Sequence, residues 1–128
     1  MRLLLDTHAF LWMSLDDPKL SDTARNVIAE LENELLLSPS TFWEIGIKIS
    51  IRRYELQEPL DVFVDREVQR NGLVILPITS QHAGQVARLP FHHRDPFDRL
   101  LIAQSIVEQV PIISADKQLD AYGIERVW

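Results

Sequence analysis

The sequence predicts an α/β fold, a three-layer α/β/α sandwich around a mostly parallel central sheet. Three observations carry this. Short apolar runs ending in a polar residue recur along the chain, and between them lie stretches with apolar residues at helical spacing. The third is size: 128 residues, 46% hydrophobic and 25% charged, with no repeat or low-complexity tract. That composition suits one packed domain spanning residues 1–128.

Residues 2–6, RLLLD, read as a buried strand ending in Asp6. Asp16-Asp17-Pro18 interrupts the next segment. The stretch 21–33 opens on Ser21, a good N-cap, and carries Ala24, Val27, Ile28 and Leu31 at helical spacing. ELLLS (34–38) is a second strand, and Pro39 suits a helix start. The run Ile45-Gly46-Ile47-Lys48-Ile49-Ser50-Ile51 alternates strictly, a strand signal. As a helix it has two apolar stripes, Ile45/Ile49 and Ile47/Ile51, one for the core and one for a partner. We read it as helix, in part for the resemblance described below. PLDVFVDREVQRNG (59–72) is a helix closed by Asn71-Gly72, and LVILP (73–77) a β-branched strand. Thr79 or Ser80 opens a short helix through Arg88. DPFDRLLIAQSIVEQ (95–109) is the clearest helix, with Asp95 at the N-cap and Pro96 behind it. VPIISAD (110–116) and IERVW (124–128) complete the strands.

Composition excludes several function classes. Without cysteine there is no disulfide scaffold, thiolate metal site or cysteine nucleophile. No apolar run is long enough to span a bilayer, and the start lacks the uninterrupted apolar stretch of a signal peptide, so a cytoplasmic protein is expected. The glycines form neither a dinucleotide fingerprint nor a P-loop, and no G-x-S-x-G elbow exists. The net charge of −6 argues against broad, nonspecific binding to a polyanion. It is unevenly distributed, however: residues 44–54 and 88–99 are locally basic.

In open α/β sheets, ligands bind beyond the carboxyl ends of the strands. Asp6 and Asp116 end strands there, Asp95 and Asp98 open the strongest helix, and Glu44 lies one turn into the third helix. Two unit charges about 4 Å apart repel by roughly 4 kcal/mol at an effective dielectric near 20, so such a cluster holds protons or a divalent cation. All-oxygen ligands suit Mg²⁺ or Mn²⁺. Each acid also has a structural role open to it. Asp6 can cap a helix, and Glu44 can complete a capping box with Thr41 or pair with Lys48. Asp95 and Asp98 suit a helix start, and Asp116 a turn. His8, His92 and His93 lack a metal-ligand spacing. A phosphate or base contact beside Arg94 and Arg99 suits the adjacent pair His92-His93 better.

Taken in order, Asp6-Thr7-His8, Trp43-Glu44-Ile45, Asp95-Pro96-Phe97-Asp98-Arg99-Leu100-Leu101-Ile102-Ala103-Gln104 and Ser114-Ala115-Asp116 resemble a PIN domain. The similarity runs from Leu4 to Trp128, and its length and motif style look like the VapC-type toxins of prokaryotic toxin–antitoxin pairs. The ten-residue block from Asp95 is distinctive; the two short motifs alone are not. The resemblance implies a Mg²⁺- or Mn²⁺-dependent endoribonuclease that forms a homodimer and is held inactive by a cognate antitoxin protein. By position, Asp6, Glu44, Asp98 and Asp116 match the family's acidic quartet and would be its catalytic, metal-holding residues. Asp95 is an additional acid that would ligate, assist or only cap, and Thr7 occupies a small-hydroxyl position. Arg94 and Arg99 would grip the RNA backbone, and bases would stack on aromatics such as Phe91. The overall charge departs from the pattern expected of an RNA-cutting enzyme, although two divalent ions would bring −6 to −2. Two other classes are compatible with the residues. One is a catalytically silent PIN-like binding module, which would be expected to lose acids. The other is a Mg²⁺ phosphoesterase acting on a small substrate, although Asp6-Thr7-His8 lacks the Asp-x-Asp pair of the haloacid-dehalogenase type.

Overall fold

The computed structural model describes Met1–Trp128. In chain order the elements are β1 (Arg2–Leu5), α1 (Thr7–Ser14), α2 (Asp22–Ala29), β2 (Glu34–Leu37), α3 (Pro39–Ser50), α4 (Leu60–Arg70), β3 (Val74–Ile75), α5 (Ser80–Arg88), α6 (Pro96–Glu108), β4 (Ile112–Ile113), a 3-10 helix (Lys117–Tyr122) and β5 (Arg126–Val127). The five strands form one sheet in the order β3-β2-β1-β4-β5. Every pairing is parallel, so the predicted three-layer sandwich is present.

Alternation along the strands divides the core into two layers. Leu3, Leu5, Leu35, Leu37 and Ile113 point to the face covered by Phe10 of α1, Ala24 of α2, Ile45 of α3 and Phe63 of α4. Leu4, Leu36 and Ile112 point to the opposite face, against Leu101, Ile102 and Ala103 of α6 and Leu89 after α5. The three central strands therefore read as continuous apolar runs because both of their faces are covered. Each fully buried leucine contributes roughly 1.5–3 kcal/mol of transfer free energy.

Several boundaries differ from the sequence reading. The second helix ends at Ala29, not Asn33. Glu30 turns extended and the Asn33 amide takes the Val27 carbonyl at 2.9 Å, leaving Leu31 99% exposed. The strand expected over 73–77 narrows to Val74–Ile75 at the sheet edge, where it has one neighbour and Pro77 has no N–H to give. The alternating isoleucines do lie in a helix. Ser38 caps α3 with Pro39 behind it, so Thr41 is not its N-cap and no Thr41–Glu44 capping box forms. No helix is long and apolar enough to cross a membrane.

The strand order places a topological switch point between β1 and β4. From β1 the chain winds through β2 and β3 to one edge, then crosses to β4 and β5 on the other side. The connections leave a crevice at the carboxyl ends of β1 and β4, next to Asp6 and Ser114.

Candidate active site

At that crevice lies a cleft of about 300 Å³ lined by Asp6, Thr7, Glu44, Lys48, Asp95, Asp98 and Asp116, with His8 and Ala115. All five acids singled out in the sequence line it. Three of them arrive as helix caps. Asp6 follows β1 and caps α1, its Oδ1 accepting from the Ala9 N–H at 2.8 Å. Asp116 follows β4 and caps the 3-10 helix, its Oδ1 accepting from the Gln118 N–H at 2.9 Å. Asp95 caps α6 with Oδ1, at 2.9 Å from the Phe97 N–H and 3.0 Å from that of Asp98. Asp98, inside the first turn, turns its carboxylate into the cleft. The structural roles and the clustering thus coexist.

Glu44 is 6% exposed, and each of its oxygens has one partner. Thr7 Oγ1 donates to its Oε1 at 2.7 Å, and Lys48 Nζ reaches its Oε2 at 2.8 Å. The i,i+4 pair with Lys48 foreseen in the sequence is formed, and Thr7 orients Glu44 from α1 across to α3.

Charge and burial oppose each other here. Burial pushes the Asp6 carboxyl above the ordinary aspartate range and Asp116 adds to the effect, although the Ser114 hydroxyl, the Ala9 N–H and His8 pull it back. The Asp98 carboxyl is pushed up to about 7, first by burial, then by Asp95, with smaller contributions from Glu44 and Asp6; His93 opposes them. A carboxyl that resists ionisation among other carboxylates is a group short of positive charge.

His93 was missed as a member of the cleft because its spacing to His92 has no ligand pattern. The structure places its Nε2 2.9 Å from Asp116 Oδ2 and 3.2 Å from Asp98 Oδ2. The signal available was its position two residues before the Asp95 cap, on the loop that enters the site. One ligand-type atom each from His93, Asp98 and Asp116 lie within 4.8 Å of one another. The donor set of the cleft, rich in carboxylate oxygen, fits a hard divalent cation such as Mg²⁺ or Mn²⁺.

Arg99 is a correction. It is 5% exposed, and its guanidinium donates to the carbonyls of Val86, Leu89, Pro90 and His93 at 3.0–3.4 Å. Phe91 lies over it with 4.0 Å from guanidinium carbon to ring centroid. With its donors used inside the fold, it has no free fork for a phosphate, and one face of Phe91 is taken. Arg94 is exposed on the same loop.

The fold and cleft together define a small parallel α/β/α domain with a carboxylate cluster at its switch point. The PIN domain family model matches residues 3–125, and the chain belongs to that family. Comparison with curated proteins finds no significant match. Among solved structures, the chain is similar to one in VapBC2 of Rickettsia felis bound to a promoter DNA fragment, with 16% identity, full coverage of both chains and a TM-score of 0.74. It is also similar to a chain of VapBC-1 from nontypeable Haemophilus influenzae (14% identity, 98% and 96% coverage, TM-score 0.67). FitAcB from Neisseria gonorrhoeae gives 16% identity, 97% and 95% coverage and a TM-score of 0.65. At these identities the likeness is one of fold.

Proposed function

We propose that the protein is a divalent-metal-dependent endoribonuclease, the toxin of a toxin–antitoxin pair, acting in the cytoplasm. The observation that carries this reading is the convergence of Asp6, Glu44, Asp98 and Asp116 on one cleft of about 300 Å³ at the sheet's switch point. Membership of the PIN family supports it. The solved relatives named above, described as VapBC and FitAB-type assemblies, favour a cognate antitoxin as partner. A homodimer is expected from the family resemblance alone.

Asp6, Asp98 and Asp116 would hold the ion, with Asp95 acting as the α6 cap. When bound, a divalent cation supplies positive charge for the phosphoryl oxygens and makes water a nucleophile near neutral pH. Glu44, held by Thr7 and Lys48, would orient the attacking water and accept its proton, while the P–O ester bond breaks and the leaving oxygen takes a proton from solvent. Thr7 acts through Glu44, and the exposed Arg94 is the arginine proposed to grip the RNA backbone. The test is incubation of RNA, and separately of a small aryl phosphoester, with Mg²⁺ or Mn²⁺ and wild-type or Asp6→Asn protein. Metal-dependent RNA cleavage absent from Asp6→Asn supports the reading. Hydrolysis of the phosphoester alone would replace it with a small-substrate phosphoesterase, and metal binding without either reaction with a silent binding module.

A further inference from the structure

The proposed chemistry uses the carboxylates and leaves His93 without a part. We propose that His93 is a positioning residue of this cleft: its Nε2–H holds the Asp98 and Asp116 carboxylates together and aims them at a divalent cation, without itself being a ligand. The consequence for metal rests on the metal-dependent reading above; the hydrogen bonding stands on geometry.

The partners of the ring determine which nitrogen bears the proton. A backbone N–H can only donate, and that of Asp95 meets His93 Nδ1 at 3.2 Å. Nδ1 therefore presents its lone pair, and Nε2 bears the hydrogen. Nε2 in turn faces two acceptors, Asp116 Oδ2 at 2.9 Å and Asp98 Oδ2 at 3.2 Å. A nitrogen that carries a proton has no lone pair for a cation, so His93's place in the three-residue cluster does not make it a ligand. Both carboxylates keep lone pairs for an ion. Asp116 is steadied from its other oxygen by the Gln118 N–H.

The surrounding loop is built to hold this ring. The His93 side chain is only 10% exposed. Its backbone N–H donates to the Tyr122 hydroxyl at 2.8 Å, and that hydroxyl donates to the Pro90 carbonyl at 2.8 Å. Arg99 Nη1 reaches the His93 carbonyl at 3.4 Å and the Pro90 carbonyl at 3.0 Å. Thus α6, through Arg99, and the 3-10 helix, through Tyr122, fix the loop from which the His93 ring bridges two acids. Partners that orient metal ligands typically contribute 10–100-fold in metal affinity.

Three measurements test the role. In metal-free protein, ¹⁵N NMR of the imidazole should report the Nε2–H form, with its Nε2 resonance displaced in Asp116→Asn; an Nδ1–H form overturns the proposal. Calorimetry with Mn²⁺ should show affinity lowered about 10–100-fold in His93→Ala and largely restored in His93→Gln, whose amide can still donate. Unchanged affinity in His93→Ala, even with a lowered melting temperature, would reduce His93 to a structural residue. Pulsed electron paramagnetic resonance of bound Mn²⁺ should show no directly coordinated imidazole nitrogen; such coupling would make His93 a ligand and end the positioning role. Wild-type protein that binds Mn²⁺ yet cuts no RNA would remove the nuclease reading and leave this inference standing. Absence of Mn²⁺ binding by wild type would remove both.

Discussion

The same carboxylate can end a strand, cap a helix and face a cleft, so its role rests on what else surrounds it. Asp6 and Asp95 show the contrast. Both cap helices, but Asp6 is 7% exposed and raised by burial, whereas Asp95 stands at the rim of the cleft with Oδ1 given to two backbone N–H groups. Asp6→Asn or Asp116→Asn should abolish metal binding and RNA cleavage with little loss of folding stability, because the amide oxygen still caps and repulsion among the clustered carboxylates is relieved. Calorimetry and thermal melts on the same samples check both halves; strong unfolding with metal affinity intact would contradict the assignment. Asp98→Ala should reduce cleavage more than Asp95→Ala, which should mainly lose an N-cap of about 0.5–2 kcal/mol. The five acids were legible in the sequence because each stands at a strand end or in the first turns of a helix, where topology fixes its pole. His93 and Arg99 were not, because their roles depend on the path of an irregular loop. Arg99→Lys should lower stability to denaturant by about 2–4 kcal/mol, since several buried carbonyls lose a charged donor. Had Arg99 gripped substrate, KM would rise and stability would hold.

Among the elements, α3 shows where pattern alone misleads. Its isoleucines alternate as in a strand, yet Ser38 and Pro39 start a helix, and β2 before it already fills the place beside β1. Both apolar stripes are then visible: Ile45 is 1% exposed and Ile49 packs on the core, whereas Ile51 is 58% exposed and Ile47 half-buried. Converting Ile47 and Ile51 together to Ser should leave the fold and weaken self-association or antitoxin binding. Light scattering and a binding titration check this; a monomeric wild type with unaltered antitoxin affinity in the variant would exclude α3's outer stripe as an interface. The error at α2 has the opposite origin. Leu31 continued the helical spacing, but the Asn33 amide captures the Val27 carbonyl and ends the helix early. Side-chain competition for a terminal carbonyl is a local event that periodicity does not register.

For the whole molecule, the acidic balance and the site's geometry meet in one pH dependence. The net charge is −6, and the fold brings five of the acids to a single cleft. Asp98 is pushed up to about 7 and Asp6 is also raised, so the metal-free folded state binds more protons than the unfolded chain between about pH 4 and pH 7. Where the native state holds the extra proton, stability falls as pH rises. Below that window the sign changes, because Glu58 and Asp120, lowered by Arg66 and Arg126, lose their stabilising ionised forms on protonation. Metal-free protein should therefore melt at a higher temperature at pH 5.5 than at pH 8. The Asp98 displacement corresponds to at most about 4 kcal/mol, reduced by the water that reaches its 31% exposed side chain. Asp98→Asn should flatten this slope by stabilising the protein at pH 8. A divalent cation reverses the sign, since it binds the ionised carboxylates in the native state alone and stabilises it in proportion to occupancy. Addition of Mg²⁺ or Mn²⁺ should raise the melting temperature at pH 8 and do little at pH 5.5, and neither ion should stabilise Asp6→Asn at either pH. A metal-free protein whose stability climbs from pH 5.5 to pH 8 would mean that the acids are not crowded in the cleft as the fold places them.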